Sequence, residues 1–242
     1  MMKHSFRRTA SVVLICFPML IVSCQTARMA LPGFLEERTE AYACVGRQGF
    51  RFGEDFSFGP YQVHEVRRGW MQRVEWDLAF AEGSARRQEF EYMLHAPDGN
   101  RWQGHAVTGV RKQDVSGRVG GGEWRWDLAA DMNFLVHIED ERQEQFWTLA
   151  MAEGRGDTVM HGELSDGHQV YRVEGTHRLA GTTMPLLDPA GFIIYKDRRA
   201  VAAVEVINQG MVYVDRDLDS IERDVLAVAA TALLLYRDIS GR

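Results

Sequence analysis

Three histidines, His161, His168 and His177, fall within seventeen residues, a density at which imidazoles from neighbouring strands can share a metal ion. A zinc site needs three or four N, O or S ligands in defined geometry. With no tight pair such as His-x-His among them, surface or hydrogen-bonded histidines are the expectation. His64-Glu65 begins like the zinc-protease pattern, but Arg68 stands where the second histidine is required. Glu139-Asp140-Glu141 and Glu144 supply carboxylates without the contrasting environments that acid/base work needs, and without the central glycine of a calcium loop. They read as a solvated turn between Ile138 and Phe146. No serine sits in Gly-x-Ser-x-Gly; the strings around Ser84 and Ser116 are turn-like. Gly120-Gly121-Gly122 has amides able to cradle an anion, yet no Lys-Ser/Thr follows, so a hairpin turn is preferred. Trp124 and Trp126, two apart, would share one strand face and offer a paired aromatic platform for a flat ligand or sugar; filling a core is the competing use. These residues identify no reaction, and no cofactor or metal is expected.

Whatever positions them is mostly strand. From Phe50 onward apolar and polar residues alternate: Val74, Trp76 and Leu78; Phe90, Tyr92 and Leu94; Phe134, Val136 and Ile138; Trp147, Leu149 and Met151; Tyr171 and Val173. Period two places each set on one face of a strand. Turn signals separate them, among them Gly59-Pro60, Glu82-Gly83-Ser84, Asp98-Gly99-Asn100 and Asp166-Gly167, at distances suited to consecutive hairpins. The pattern predicts an antiparallel meander of about a dozen strands, whose one-sided apolar faces must be covered by closing into a barrel or packing in two layers.

The end of the chain favours the barrel. Asp219 and Glu222 are spaced as an N-cap and its N3 partner. Residues 225–236 then carry no charge on any helical face, and a helix apolar all round must be surrounded. Twelve residues span only about 18 Å, too short for a bilayer and suited to a barrel interior. The expectation is therefore a mainly β fold: an antiparallel barrel of about twelve strands around a buried hydrophobic C-terminal helix, residues 219–237.

The closing stretch, residues 188–239, runs Asp188-Pro-Ala-Gly-Phe-Ile-Ile-Tyr195, then Arg199-Ala-Val-Ala-Ala-Val-Glu-Val-Ile207, then Met211-Val-Tyr-Val-Asp215, then Arg223-Asp-Val-Leu226 and the apolar helix. In pattern and order it resembles the end of the tubby-like superfamily, which includes tubby C-terminal domains, plant LURP-one-related proteins and phospholipid scramblases. The resemblance implies a twelve-stranded barrel around a hydrophobic C-terminal helix and a place near a membrane. Neither the basic phosphoinositide-binding residues of tubby domains nor the calcium-linked features of scramblases can be placed on this acidic chain, so no binding residue is carried over.

At the other end Lys3, Arg7 and Arg8 form a basic n-region, residues 10–22 an apolar run broken by Pro18, and Ile21-Val22-Ser23-Cys24 a lipobox. This resembles bacterial lipoproteins and implies that Ser23 ends the removed peptide and that Cys24 carries acyl chains. Ordinary cleavage after Ala27 or Ala30 is the alternative. The 13-residue run falls short of the roughly 20 residues a membrane helix needs. Gln25, being other than Asp, implies sorting to the outer membrane if the source is Gram-negative. Residues 1–23 are thus a lipoprotein signal peptide, 24–33 a tether and 34–242 a single barrel domain. Loss of the three basic residues of the signal moves the formal charge from −6 to −9, which makes nucleic acid a poor partner. Cys44 would be a lone thiol without basic neighbours, a buried small hydrophobe. The functional expectation is a lipid-anchored, non-catalytic binding or assembly module of the envelope, held to the membrane by its N-terminal acyl anchor and open to an envelope protein partner. The alternatives are an envelope hydrolase assembled only in three dimensions and a carrier of a lipid or small apolar ligand.

Overall fold

A computed structural model describes residues 26–47, 55–70, 72–78, 81–109, 115–119, 122–126, 133–142, 144–153 and 159–236, with backbone alone at 73–78, 81–86, 115–119, 122–126 and 133. Fifteen strands follow a short helix α1 (Gly33–Arg38) and precede a long one, α2 (Ser220–Leu235). The strands are β1 (Thr39–Val45), β2 (Phe56–Phe58), β3 (Tyr61–Arg68), β4 (Gln72–Leu78), β5 (Ala81–His95), β6 (Arg101–Thr108), β7 (Val115–Val119), β8 (Gly122–Trp126), β9 (Asn133–Asp140), β10 (Phe146–Glu153), β11 (Met160–Ser165), β12 (Val170–Thr176), β13 (Gly191–Lys196), β14 (Arg199–Glu205) and β15 (Met211–Asp215).

Twelve of them close an antiparallel barrel in the order β3-β2-β1-β15-β14-β13-β12-β11-β10-β9-β6-β5, with β5 returning to β3. Closure leaves no free edge in the ring. β4 pairs only with the first half of β5, and β7 with β8, so both hairpins stand outside it. The expected turn at Glu82-Gly83-Ser84 is instead strand within β5: Leu78 pairs with Ala81, which puts the reversal ahead of those residues.

The inside of the barrel is the alternating set read from the sequence. Phe90, Tyr92, Leu94, Phe134, Val136, Ile138, Trp147, Leu149, Met151, Tyr171 and Val173 are all buried in one core with the inner residues of β1 to β3 and β13 to β15. At its centre lies α2, buried without interruption from Asp224 to Leu235. Each fully buried leucine contributes roughly 1.5–3 kcal/mol by leaving water, and four alanines let the wall approach closely.

The helix ends are satisfied by the wall. Asp219 caps the start, its carboxylate accepting from the Glu222 amide at 2.8 Å, as the spacing predicts. The reciprocal half of a capping box is missing, because the Glu222 carboxylate turns to Tyr171 and Lys196. At the other end the last carbonyls, orphaned by helix geometry, accept from two guanidinium groups: Arg47 Nε reaches Leu234 O at 3.1 Å and Arg68 Nη2 reaches Leu235 O at 2.7 Å. The last turn of α2 itself carries no basic residue. The barrel thus supplies the positive charge that complements the helix dipole.

Tyr92 donates to Val228 O at 2.8 Å in mid-helix, and its ring lies over Gly104, its cross-strand partner on β6. A Cβ at residue 104 would come within 2.1 Å of that ring. Gly104→Ala is expected to displace Tyr92, break its bond to α2 and cost about 1–3 kcal/mol, measured as a lowered urea midpoint at unchanged m-value.

The segment expected as a tether is held against the outside of the wall in its described part. Ala27 O accepts from Asn208 Nδ2 at 2.8 Å, the Met29 amide donates to Glu205 at 3.0 Å, and Arg28 and Ala30 pair through backbone with Ala180 and Arg178. Met29 and Leu35 are buried with Ala190, Ile193, Ala203 and Tyr213 in a second, outer core. Within the stretch, the burial of Met29 and the packing of Leu31 on the same core hold it to the domain.

The two rims differ. At the N-terminal end of α2 the strands are joined by short turns, residues 59–60, 96–100, 141–145, 166–169 and 197–198. At its C-terminal end lie the ends of β1, β3 and β6, the 177–190 connection, the β14–β15 turn at residues 206–210 and the β4–β5 hairpin. We call these the turn rim and the loop rim.

Candidate functional site

Ser23 and Cys24 lie outside the described residues; what is described is the arrival of their segment at Ala27, on the loop rim beside Asn208. Trp124 and Trp126 occupy alternate positions of β8, opposite Gly117 and Val115, on the hairpin that leaves the same rim, and their side chains lie outside the described residues.

The three histidines are not gathered. His161 pairs with Glu174 on the barrel wall, His168 sits in a polar turn whose amides are held by Asp166, and His177 follows β12 with Nδ1 3.0 Å from Leu186 O. Among the described residues no three His, Cys, Asp or Glu side chains converge as metal ligands would. His64 and Glu65 lie at a bulge of β3, where Glu65 adopts φ 54°, and His64 faces Asp55 at 2.9 Å. Asp140 accepts from the Glu144 and Gln145 amides, both at 2.8 Å, while Glu141 pairs with Arg101, so this acidic run is a turn between β9 and β10. Cys44 is buried, as expected for a small hydrophobe, and burial pushes its thiol up to about 11.

A cleft built by described side chains lies on the turn rim at the start of α2, with a volume of about 490 Å³. The β13–β14 turn and the β15–α2 connection form its two sides. Asp197, at φ 56°, makes the tight left-handed reversal that sets Lys196 and Arg199 side by side. Opposite them stand Asp217, Leu218 and Glu222.

A chain of ion pairs fills its walls. Lys196 pairs with Glu222, which also accepts from Tyr171 at 2.7 Å. Arg199 pairs with the buried Asp215 and with Asp217 at 3.4 Å, and Arg38 reaches Asp217 at 2.6 Å. Burial works against charge on Asp215, but the Arg199 hydrogen bond, the Asp217 amide and the nearby guanidinium groups outweigh it and hold the carboxyl below its ordinary range. Glu222 is lowered in the same way, burial being overcome by Lys196 and Tyr171. Tyr171 is raised, by burial first and by Glu222 second. Asp215 and Glu222 therefore stay charged at neutral pH, and Tyr171 stays neutral. They suit the cleft to ionic contact, with Arg198 on its lip the cation that enters no ion pair among the described residues.

The carboxyl nearest neutrality is elsewhere. Asp224, one helical turn deeper, is buried and accepts from Tyr61 at 3.1 Å; burial raises it to about 6.

Sequence reading passed over both features. The signal for the cleft was present as two runs of mixed charge, Lys196-Asp197-Arg198-Arg199 and Asp215-Arg216-Asp217-Leu218-Asp219, each following an apolar strand. Their convergence depends on β13, β14 and β15 being neighbours. Asp224 carried no signal, since a single aspartate near a helix start reads as exposed.

Compared with protein families, with curated proteins and with solved structures, the chain gives no significant match.

Proposed function

We propose that the chain is a lipid-anchored module of the bacterial envelope that binds or assembles with an envelope protein through the outside of its barrel. The observation that carries this reading is the occupied lumen: α2 is buried from Asp224 to Leu235, and the volume a carrier needs for an apolar ligand is taken up by the chain itself. What remains for recognition is the outer surface, including the charged cleft around Lys196, Arg198 and Arg199. The lipobox ending at Cys24 supports the anchor, and Gln25 supports the outer membrane, facing the periplasm, for a Gram-negative source. No helix among the described residues is long and apolar enough to cross a membrane. Kinship with the tubby-like superfamily is part of the same proposal, supported by the order of elements from Asp188 onward.

Cys24→Ala is expected to abolish acylation and move the protein from the membrane to the soluble fraction, because the acyl chains supply about 0.8 kcal/mol per buried CH₂. Fractionation with mass spectrometry of the N-terminal peptide checks it. Unchanged membrane partition in the variant places the anchor elsewhere. Crosslinking from Arg198 in native membranes tests the binding role: recovery of one envelope protein, lost in Arg198→Glu, supports it, and the absence of any crosslinked species overturns this face as the contact.

A further inference from the structure

The most exposed apolar side chains among the described residues lie at one end of the barrel. Among the described residues the four most exposed large hydrophobics are Leu187 at 96%, Trp70 at 93%, Met184 at 76% and Val45 at 66%. All four belong to the loop rim: Val45 ends β1, Trp70 follows β3, and Met184 and Leu187 lie in the β12–β13 connection. The turn rim carries the half-exposed Val170 and Ile221 but is otherwise built from polar turns such as Asp98-Gly99-Asn100 and Asp166-Gly167-His168. Single exposed apolar residues are ordinary, but four gathered on one face and rimmed by polar wall are not.

The anchored end of the chain arrives at the same place. Ala27 is hydrogen-bonded to Asn208 on the loop rim, and Arg28 and Ala30 pair with Ala180 and Arg178 at the root of the loop that carries Met184 and Leu187. Two residues separate Ala27 from Cys24, a reach of about 10 Å at full extension. A strand of eight residues is roughly 26 Å long, so the turn rim is out of that reach when the barrel stands on its loop rim.

We propose that Val45, Trp70, Met184 and Leu187 form a membrane-contacting face by which the barrel stands loop rim down on the lipid surface holding its acyl chains; this rests on the anchor reading above. Leu186, next to Leu187, is packed into the outer core with Met29 and Leu35, which stiffens the loop and fixes which side chains point outward. Its backbone is also tied to His177, which donates at the loop's base. Trp70 suits the interfacial zone, where an indole places its ring among the acyl ends and its N–H among the headgroups. Asp188, adjacent to Leu187, limits entry to the headgroup boundary, since a carboxylate deeper than that is costly. The contact is thus shallow. It orients the barrel with the charged cleft on the turn rim facing away from the membrane.

The test uses the lipoprotein purified from membranes and reconstituted into vesicles of phosphatidylethanolamine and phosphatidylglycerol. Leu187→Cys and, on the turn rim, Asp98→Cys are each labelled with an environment-sensitive fluorophore; the buried Cys44 thiol is left unlabelled. The probe at 187 is expected to shift to the blue, to be quenched by spin-labelled lipid and to be shielded severalfold from aqueous iodide, while the probe at 98 stays open to iodide. Mass spectrometry of the same sample separates the failures. Acylated Cys24 with equal iodide access at both positions overturns the membrane-contacting face alone; an unmodified Cys24 overturns the anchor reading and this proposal with it.

Discussion

Ala230→Asp is expected to leave the domain unfolded. Residue 230 lies in the middle of α2 and is 1% exposed, with barrel wall on every side. A carboxylate there has no cation and no hydrogen-bond donor to meet it. Left unpaired, a buried ionised or forcibly neutralised group costs several kcal/mol, against a total stability of about 5–15 kcal/mol for a typical domain. Leu234→Asp should act in the same sense, adding the loss of a buried leucine beside the Arg47-capped end. Loss of cooperative thermal unfolding in circular dichroism is the expected result. A variant that melts like the parent would place α2 on the surface and remove the barrel's core.

Asp224→Asn should move stability the other way. Burial raises the Asp224 carboxyl from an ordinary value near 4 to about 6, so the folded protein binds a proton there that the unfolded chain has released. Between those values the folded state holds more protons than the unfolded one, and stability falls as pH rises. Above about pH 6 the buried carboxylate stays charged at a cost of about 3 kcal/mol, two pKa units at 1.36 kcal/mol each. Asparagine keeps an acceptor for Tyr61 without the charge. The variant should therefore match the parent below about pH 4 and exceed it by up to that amount at pH 7. Asp215 and Glu222 contribute in the opposite sense: their carboxyls are lowered, so their stabilisation is full above the unfolded value and is lost as pH falls through the folded one. Because both proteins carry that second effect, the difference in urea midpoint between them across pH isolates Asp224. A difference that does not change from pH 4 to 7 would mean Asp224 titrates normally.

The barrel was legible because the physics that makes it is local. Phe134, Val136 and Ile138 recur at every second position, and all three are buried, since a closed sheet has one dry face. The uncharged run after Asp224 predicted a surrounded helix for the same reason, and Asp219 marked the helix start through a bond spanning three residues. Glu82-Gly83-Ser84 misled, because a glycine in a long strand looks like a turn when its partner strand is not yet known. The cleft was illegible at the same level of description. Lys196 meets Glu222 and Arg199 meets Asp215 only after β13, β14 and β15 have been laid side by side, and pairing of that kind leaves no periodic trace. Trp124 and Trp126 are placed only as positions on β8, so the sequence remains their whole description.

The wall and its filling have an order of arrival. Every strand of the ring precedes α2 along the chain, and the seam that shuts the ring joins β1, whose Thr39 faces Asp215 of β15, across nearly the whole domain. A ribosome or translocon releasing this polypeptide therefore delivers a sheet with nothing to wrap until the final helix emerges. Loop closure over such separations is slow, and the half-made cylinder shows its greasy side meanwhile. A chain that cannot finish folding before α2 is made stays unfolded, and therefore threadable, for longer.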